Sequence, residues 1–343
     1  MTYQNVTKWL ALIGLAIFVS GCTPSAQVVK IEGSTMGTSY HISWVGDAAQ
    51  AQQLQTKIDD RLVAVNQSMS HWQPDSLISR FNHYDSTEPM TIDHDFATVM
   101  AESIWLAEQT ERALDVTIAP IIDLWGFGPQ GQVEQAPSPR EIAMAQALSG
   151  INKVSLNDLA LSKSEPLLTL NLSAIAKGFG VDVVADLLEQ HQIGSYMVEI
   201  GGELRLRGTK PAGKPWRIAI ERPDPAGREL FQVIEPGNMA VATSGDYRNF
   251  FEENGTRFSH LIDPRSGAPI TNRLASVTVL SPSCMRADGF ATAFSIMGTE
   301  ASLAYANEHK MPVMLIEKSI SGQFNTFYSD AFKTYVNDSE TAQ

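Results

Sequence analysis

The stretch from Phe258 to Thr292 constrains the fold of this chain most, because a turn, a strand and the start of a helix follow one another within it. Residues 263–267 have the sequence Asp-Pro-Arg-Ser-Gly, which is typical of a tight turn. Alternating apolar side chains in residues 275–280 predict a strand, and Asp288 lies in a segment with the spacing of a helix. Strands and helices therefore mix over short distances, which indicates an α+β or α/β body.

Side chains in the same stretch are suited to metal binding and proton transfer. Asp288 and Thr292 are four residues apart, so they share one helical face. A carboxylate and a hydroxyl placed in this way are hard oxygen ligands, which suit Mg²⁺ better than zinc. The alternative is that Asp288 only caps the helix and Thr292 only packs within it. His260 and Asp263 add a histidine and a second carboxylate where the chain enters the turn.

Hydrophobic periodicity predicts helices and strands in mixed order along the rest of the chain. The predicted helices are residues 48–68, 96–110, 174–190, 289–297 and 300–309. The predicted strands are residues 36–45, 167–172, 197–200, 204–207, 216–221, 231–234, 275–280 and 312–317. Ser138 followed by Pro139 predicts one more helix start. The junction between the strand of residues 167–172 and the helix of residues 174–190 is expected to direct free backbone amides towards an anion, and Ser173 is expected to cap that helix.

Residues 1–22 are typical of an export signal. Lys8 precedes the apolar residues 9–19, a run too short to span a bilayer, and Cys22 follows small residues that suit cleavage. This predicts a periplasmic lipoprotein anchored to the membrane through Cys22, with a plain secretion signal as the alternative. We expect a signal peptide, a tether, one large domain and a tail in residues 1–22, 23–32, 33–332 and 333–343.

The composition disfavours several classes of partner. The formal net charge is −13, so bulk electrostatics do not favour nucleic acid or anionic lipid. An acidic protein that binds an anionic ligand needs local compensation from a metal ion or from a few lysines and arginines. Cys22 and Cys284 are the two cysteines of the chain, so acylation of Cys22 would leave Cys284 without an intrachain partner.

Several motifs together resemble the ApbE family of FAD:protein FMN transferases. They are residues 36–38 (Met-Gly-Thr), residues 171–178 (Asn-Leu-Ser-Ala-Ile-Ala-Lys-Gly) and the stretch 258–292 described above. Their order and spacing agree with that family from about Gly33 to Phe332. The resemblance implies an α+β (mixed α/β), two-lobed fold with the flavin nucleotide between the lobes. It also implies an enzyme that uses FAD as a substrate and depends on Mg²⁺.

The resemblance further implies which residues form the site. The backbone carbonyl of Ala174 and the side chains of Asp288 and Thr292 would hold Mg²⁺. Trp72 stands where an aromatic residue accompanies transfer rather than hydrolysis of FAD, whereas Lys177 departs from relatives that carry Glu. Contacts with FAD are implied for Met36, Trp72, Ala113, Leu114, Asp115, Asn171, Lys177 and Ile262.

For the chemistry, the resemblance implies that His260 is the general base and that Asp263 orients it or holds a flavin edge. The base would deprotonate a Thr or Ser hydroxyl of an acceptor flavoprotein, such as a subunit of sodium-translocating NADH:quinone reductase. FMN would be attached and AMP released, with Ser244 and Arg248 as lesser candidates for phosphate contact. Two alternatives stay open: an FAD pyrophosphatase that yields FMN and AMP, and a non-catalytic flavin-binding lipoprotein.

Overall fold

The computed structural model describes residues 27–128, 131, 135–224, 227, 229–245, 250–253 and 256–336, and only the backbone of residues 250–253 and 256–258. The predicted signal peptide with Cys22, most of the predicted tail, and Arg248 lie outside the described residues. None of the described helices is long and apolar enough to cross a membrane. The helices are α1 Ala51–Met69, α2 Leu77–Asn82, α3 His94–Gln109, α4 Ala119–Leu124, α5 Pro139–Ala147, α6 Ala176–Gln190, α7 Cys284–Met297 and α8 Thr299–Glu308.

The strands are β1 Gln27–Thr35, β2 Thr38–Gly46, β3 Met90–Thr91, β4 Val154–Asn157, β5 Ala160–Lys163, β6 Tyr196–Ile200, β7 Glu203–Arg207, β8 Ile218–Glu221, β9 Leu230–Ile234, β10 Ala240–Gly245, β11 Phe250–Glu253, β12 Thr256–Ser259, β13 Ile262–Asp263, β14 Ala268–Pro269, β15 Leu274–Ser281, β16 Val313–Lys318 and β17 Phe324–Tyr328. The central sheet has the order β1-β2-β6-β7-β10-β15-β16-β17. Each neighbouring pair in it is antiparallel. The predicted α+β class is therefore confirmed.

Alternation along the strands directs side chains into two cores on opposite faces of the sheet. Tyr40 and Trp44 of β2 point to the face covered by α1 and α6. Val241 of β10 and Met314 of β16 point to the other face, where they pack with Trp216 next to the β8–β9 hairpin. The middle strand β15 is buried along its whole length. The sheet is thus covered on both faces, which holds its strand ends in fixed positions.

Most predicted elements are confirmed with shifts of a few residues, and one predicted strand is wrong. Residues 167–172 form no strand, because the backbone N–H and carbonyl of Leu170 bond the side chain of Asn82 at 2.8 and 2.9 Å. Ser173 does not cap the next helix either. Helix α6 begins at Ala176, with Ile175 at its N-cap and no capping side chain. Hydrogen bonds with a side chain from a distant part of the chain therefore take the place of the strand pairing that an apolar alternation predicts.

The N-terminal boundary also differs from the prediction. Residues 27–32, assigned to a tether, lie in β1, which pairs with β2 along its full length from Gln27 to Thr35. Val29 in this strand is buried in the core beneath the sheet. At the other end a 3₁₀ helix, Phe332–Tyr335, continues past the predicted end of the domain and buries Phe332.

Candidate active site

A cleft of about 740 Å³ brings together most of the residues that the sequence singles out. An adjoining cleft of about 850 Å³ contains Met36, and the two share His71, Trp72, Ser173 and Lys177 in their walls. Of the predicted site residues, those that line the first cleft are Trp72, Ala113, Leu114, Asp115, Asn171, Ala174, Lys177, His260, Ile262, Asp288 and Thr292. Residues far apart in the chain thus meet at one place.

Helices α6 and α7 touch where the cleft begins. The backbone N–H of Gly178 donates to Asp288 Oδ2 at 2.9 Å, and a side chain at Gly178 would collide with the carbonyl of Cys284. Glycine is therefore required for this close approach. Helix α7 is capped by Ser283, whose hydroxyl accepts from the N–H of Arg286 at 3.3 Å. Asp288 is therefore not a cap, and the alternative that assigned it this role is wrong.

Asp182, on α6, holds the start of α7 in place. Its carboxylate accepts from the backbone N–H groups of Cys284 and Met285 and from the Ser283 hydroxyl, at 2.8 to 3.0 Å. It also accepts from Arg205 of β7 at 3.0 Å. One side chain thereby joins the three elements that carry Lys177, Glu203 and Asp288 to the cleft. In the sequence, Asp182 shows no functional signal apart from its place in a helix.

Lys177, Glu203, Asp288 and Thr292 form what we call the charged wall of the cleft. Lys177 Nζ lies 2.5 Å from Glu203 Oε1, and only 3% of the Glu203 side chain is exposed. Glu203 follows two glycines in the sequence, and nothing there marks it as a site residue. Among the described residues, Glu203 Oε2 is a buried oxygen that has no hydrogen-bond partner. An unsatisfied buried carboxylate oxygen is costly, so this wall is organised for something other than packing.

The charges of this wall shift one another's protonation. Burial raises the pKa of Glu203 to about 7, with Lys177 opposing the shift and Asp288 adding to it. Burial likewise raises the pKa of Asp288 from its ordinary range. Burial disfavours the charge of Lys177, but Asp288 and Glu203 more than offset this, so the pKa of Lys177 lies above its usual value. Lys177 is therefore a permanent cation between two buried carboxylates.

The donors near Asp288 fit a hard divalent cation that also binds ligand oxygens. Asp288 is buried, and it lines the cleft together with Thr292 and Ala174. No group of three or more His, Cys, Asp or Glu residues with metal-ligand geometry occurs in the described part of the chain. A carboxylate, a hydroxyl and a carbonyl alone leave positions open, as is usual for Mg²⁺ with a phosphate ligand.

Asp115 and Asn171 line the cleft, but their side chains are engaged within the protein. The Asp115 carboxylate accepts five hydrogen bonds from Arg112, Thr117 and the N–H of Ile151. Asn171 Oδ1 accepts from the N–H of Ser173 at 2.9 Å. The Asp115 carboxylate is thus engaged by internal donors, and the contact with FAD that the resemblance implies for this residue stays a prediction. In the part of the cleft wall around Asp115, backbone groups are therefore available to a ligand.

His260 lies in the cleft wall after β12, with its ring 6.4 Å from that of Phe127 in an edge-on arrangement. Asp263, three residues on, is bound by Arg265, which donates from Nε and Nη2 at 2.8 and 2.9 Å. The N–H of Gly267 closes the turn on the Asp263 carbonyl at 2.8 Å. The Asp263 carboxylate thus organises the turn that follows His260, and its role towards a flavin stays a prediction.

His71 and Trp72 form what we call the aromatic wall. Their ring centroids lie 5.2 Å apart, and 63% of Trp72 is exposed. Burial lowers the pKa of His71, which favours a neutral ring. Across from them, Met36 has φ 49° in the β1–β2 turn, and its side chain lies against Gly180 of α6. Ser244, at the end of β10, also lines the cleft.

Comparison with known proteins identifies the family of this chain. The sequence model of the ApbE family matches residues 36–315. The chain is 46% identical to the FAD:protein FMN transferase of Vibrio cholerae, over 96% of this chain and 99% of that one. It is 44% identical to the FAD:protein FMN transferase of Haemophilus influenzae, over 98% and 100% of the two chains.

Solved structures of similar proteins have the same fold as this chain. The flavin transferase ApbE from Vibrio cholerae is similar with a TM-score of 0.84 at 46% identity, covering 91% of this chain and 100% of that one. The flavinyl transferase ApbE from Pseudomonas stutzeri, in its apo form, is similar with a TM-score of 0.83 at 36% identity, covering 90% and 97%. By sequence and by fold, the protein described here belongs to the ApbE family.

Proposed function

We propose that this protein transfers FMN from FAD to a hydroxyl group of an acceptor flavoprotein and releases AMP. The observation that carries this function is the charged wall. Lys177 and the oxygen donors around Asp288 stand in a cleft large enough for a nucleotide, and His260 lies in the same cleft. The names of the relatives, FAD:protein FMN transferase and flavin transferase ApbE, support this choice.

We infer that Asp288, Thr292 and the carbonyl of Ala174 would hold Mg²⁺ beside the bound FAD. When bound, Mg²⁺ would supply charge stabilisation for the diphosphate and for the AMP that leaves. Lys177 adds a fixed positive charge in the same wall, which an anionic substrate needs in a chain with net charge −13.

The residues of the cleft support an in-line displacement at phosphorus. The acceptor hydroxyl oxygen forms a bond to the FMN phosphorus as the bond to the bridging oxygen of AMP breaks. His260 takes the hydroxyl proton, a task that suits histidine at neutral pH. Trp72 presents an exposed ring on which a flavin or adenine ring can stack. The two-lobed arrangement with the nucleotide between the lobes stays a prediction.

The acceptors are proposed from the family resemblance, and the location is proposed from the N-terminal sequence. The hydroxyl donor is a Thr or Ser of a flavoprotein subunit, such as those of sodium-translocating NADH:quinone reductase. The apolar residues 9–19 and Cys22 support a lipid anchor and a periplasmic position for the enzyme.

Incubation of the full chain in detergent with FAD, Mg²⁺ and a candidate acceptor subunit tests this function. The expected result is an FMN-sized mass gain on the acceptor with release of AMP, and loss of both when Mg²⁺ is chelated. Free FMN and AMP with an unmodified acceptor would instead identify a pyrophosphatase. Unchanged FAD bound to the chain would identify a flavin-binding protein without catalysis.

A further inference from the structure

Packing alone does not explain why a glutamate stands at position 203. It begins β7 directly after Gly201 and Gly202, whose φ angles of 61° and 106° form the turn from β6. This turn places its side chain in the cleft wall, with one oxygen on Lys177 at 2.5 Å. The other oxygen is buried without a hydrogen-bond partner among the described residues.

Fold stability gives no reason to keep this carboxylate. A buried ion pair loses about as much by desolvation as it gains by attraction, and apolar replacement of such a pair is often neutral or stabilising. The partnerless oxygen adds a further cost. Asp182 differs from Glu203, because its two carboxylate oxygens accept from four donors and hold the start of α7 in place. Glu203 therefore serves the cleft rather than the core.

We propose that Glu203 is a positioning residue that holds the ammonium group of Lys177 in the cleft, facing the diphosphate of the bound nucleotide, and keeps it off Asp288. This role rests on the proposed function, because the diphosphate is the anion that Lys177 would meet. Without Glu203, Asp288 is the remaining carboxylate that attracts Lys177. The ammonium would then compete with the metal ion for the Asp288 carboxylate.

Two effects are therefore expected when Glu203 loses its charge. FAD binding weakens, because Lys177 no longer faces the diphosphate. The Mg²⁺ concentration needed for half-maximal FAD binding rises, because Lys177 occupies Asp288. Neither effect requires a loss of fold stability, because Gln keeps an oxygen that accepts from Lys177, and replacement of the whole pair by apolar side chains is often neutral or stabilising.

The test measures FAD affinity by flavin fluorescence over a Mg²⁺ titration, and thermal melting, for the full chain in detergent. The variants are Glu203→Gln, Lys177→Met and the double variant Lys177→Met/Glu203→Met. We expect Glu203→Gln to weaken FAD binding about tenfold and to raise the Mg²⁺ requirement, and we expect the double variant to melt no lower than the unaltered chain. Because Glu203 acts through Lys177, the double variant binds FAD no more weakly than Lys177→Met alone.

The matched control is Asp95→Asn, which breaks the ion pair of Asp95 with Arg61, two residues that do not line either cleft. It is expected to bind FAD as the unaltered chain does. Equal FAD affinity and Mg²⁺ requirement in Glu203→Gln would overturn the positioning role. So would a double variant that binds FAD a further tenfold more weakly than Lys177→Met. The double variant replaces the pair with apolar side chains, so it decides the matter if Glu203→Gln does not fold.

The same titration separates this role from the proposed function. An unaltered chain that binds no FAD overturns both. An unaltered chain that binds FAD and transfers FMN, with a Glu203→Gln variant that matches it, overturns the positioning role alone.

Discussion

The charged wall and the aromatic wall of the cleft differ in what supports them. Lys177, Glu203 and Asp288 are embedded in the contacts between α6, α7 and β7. Trp72 is 63% exposed, and its ring lies 5.2 Å from that of its neighbour His71. The first wall is preorganised by buried charges before any ligand binds. The second offers surface that gains its contacts only from a ligand.

This difference separates two kinds of contribution to function. Buried charges act strongly on phosphate and metal because little water screens them, so their removal should change the reaction and the Mg²⁺ requirement. An exposed ring contributes contact area to a bound nucleotide and little to the fold. Substitutions in the two walls should therefore have different signatures, and the predictions below test whether they do.

Asp288→Asn should have the largest effect on the reaction. It keeps the shape and an acceptor for the N–H of Gly178 but removes the charge that holds the metal ion. We expect transfer, measured as FMN on the acceptor, to fall at least about 1000-fold. The melting temperature should not fall, since burial raises the pKa of this carboxyl and a neutral amide avoids that cost. Transfer within tenfold of normal would show that Asp288 is not a metal ligand.

Asp182→Ala should have the largest effect on stability. It removes the acceptor of four hydrogen bonds and leaves the first N–H groups of α7 without partners. We expect urea unfolding to report a loss of about 3 kcal/mol. Asp186→Ala is the control, because this exposed residue shares only Arg205 with Asp182, and about 0.5 kcal/mol or less is expected there. Equal losses in both variants would contradict the role of Asp182.

His260→Ala should separate catalysis from binding. Loss of a general base lowers the rate of transfer by about 100-fold or more, whereas FAD affinity should stay within about threefold because the charged wall is intact. Single-turnover transfer and fluorescence titration measure the two quantities. His309→Ala, at a ring stacked on Tyr305 away from the cleft, is the control. A parallel loss of FAD binding and transfer would argue for a binding role instead.

The charged wall should make stability depend on pH in a defined direction. Burial raises the pKa of Glu203 from 4.5 to about 7. Its contribution to stability is therefore fully present below pH 4.5 and is lost as pH rises through about 7, because the unfolded chain gives up this proton first. Thermal melting in metal-free buffer between these pH values should show a decline that Glu203→Gln reduces. An unchanged slope in that variant would place the titration elsewhere.

Trp72→Ala should have the smallest effect, and this effect should be confined to FAD binding. We expect FAD to bind about tenfold more weakly through loss of ring stacking, with an unchanged melting temperature because the side chain is exposed. Trp72→Phe, which keeps an aromatic face, should retain most of the affinity. A fall in melting temperature with Trp72→Ala would mean that the aromatic wall supports the fold after all.

Much of the fold was predictable from local patterns. Helix α1 buries Leu54, Ile58, Leu62 and Val65 on one side, as its spacing predicts, and Ser138 forms the expected cap with Glu141. The strand predicted at residues 167–172 was wrong because the backbone of this apolar segment forms hydrogen bonds with the side chain of Asn82 and not with a neighbouring strand. Residues 27–32 of strand β1 fall in the predicted tether, because their place in the sheet depends on pairing with β2.

The candidate site was predictable where a motif carries it and not where a contact does. His260, Lys177, Asp288 and Thr292 were found through their motifs, and the cleft gathers them. Glu203 and Asp182 were missed, since a glutamate after two glycines and an aspartate on a helix are ordinary in a sequence. Asp115 was assigned to a ligand, although its carboxylate is used by Arg112, Thr117 and Ile151.

The sequence by itself determined the helices and strands with strong periodicity, the mixed α+β class, and the family to which the motifs point, because these depend on neighbours within a few residues. The tertiary structure alone decided which carboxylates are free for chemistry. The carboxylates of Asp182 and Asp115 accept from internal donors, whereas Glu203, beside Lys177, has an oxygen for which the described part of the chain offers no hydrogen-bond partner. Burial and hydrogen bonding between distant segments set the charge and availability of a carboxylate, and no local pattern encodes them.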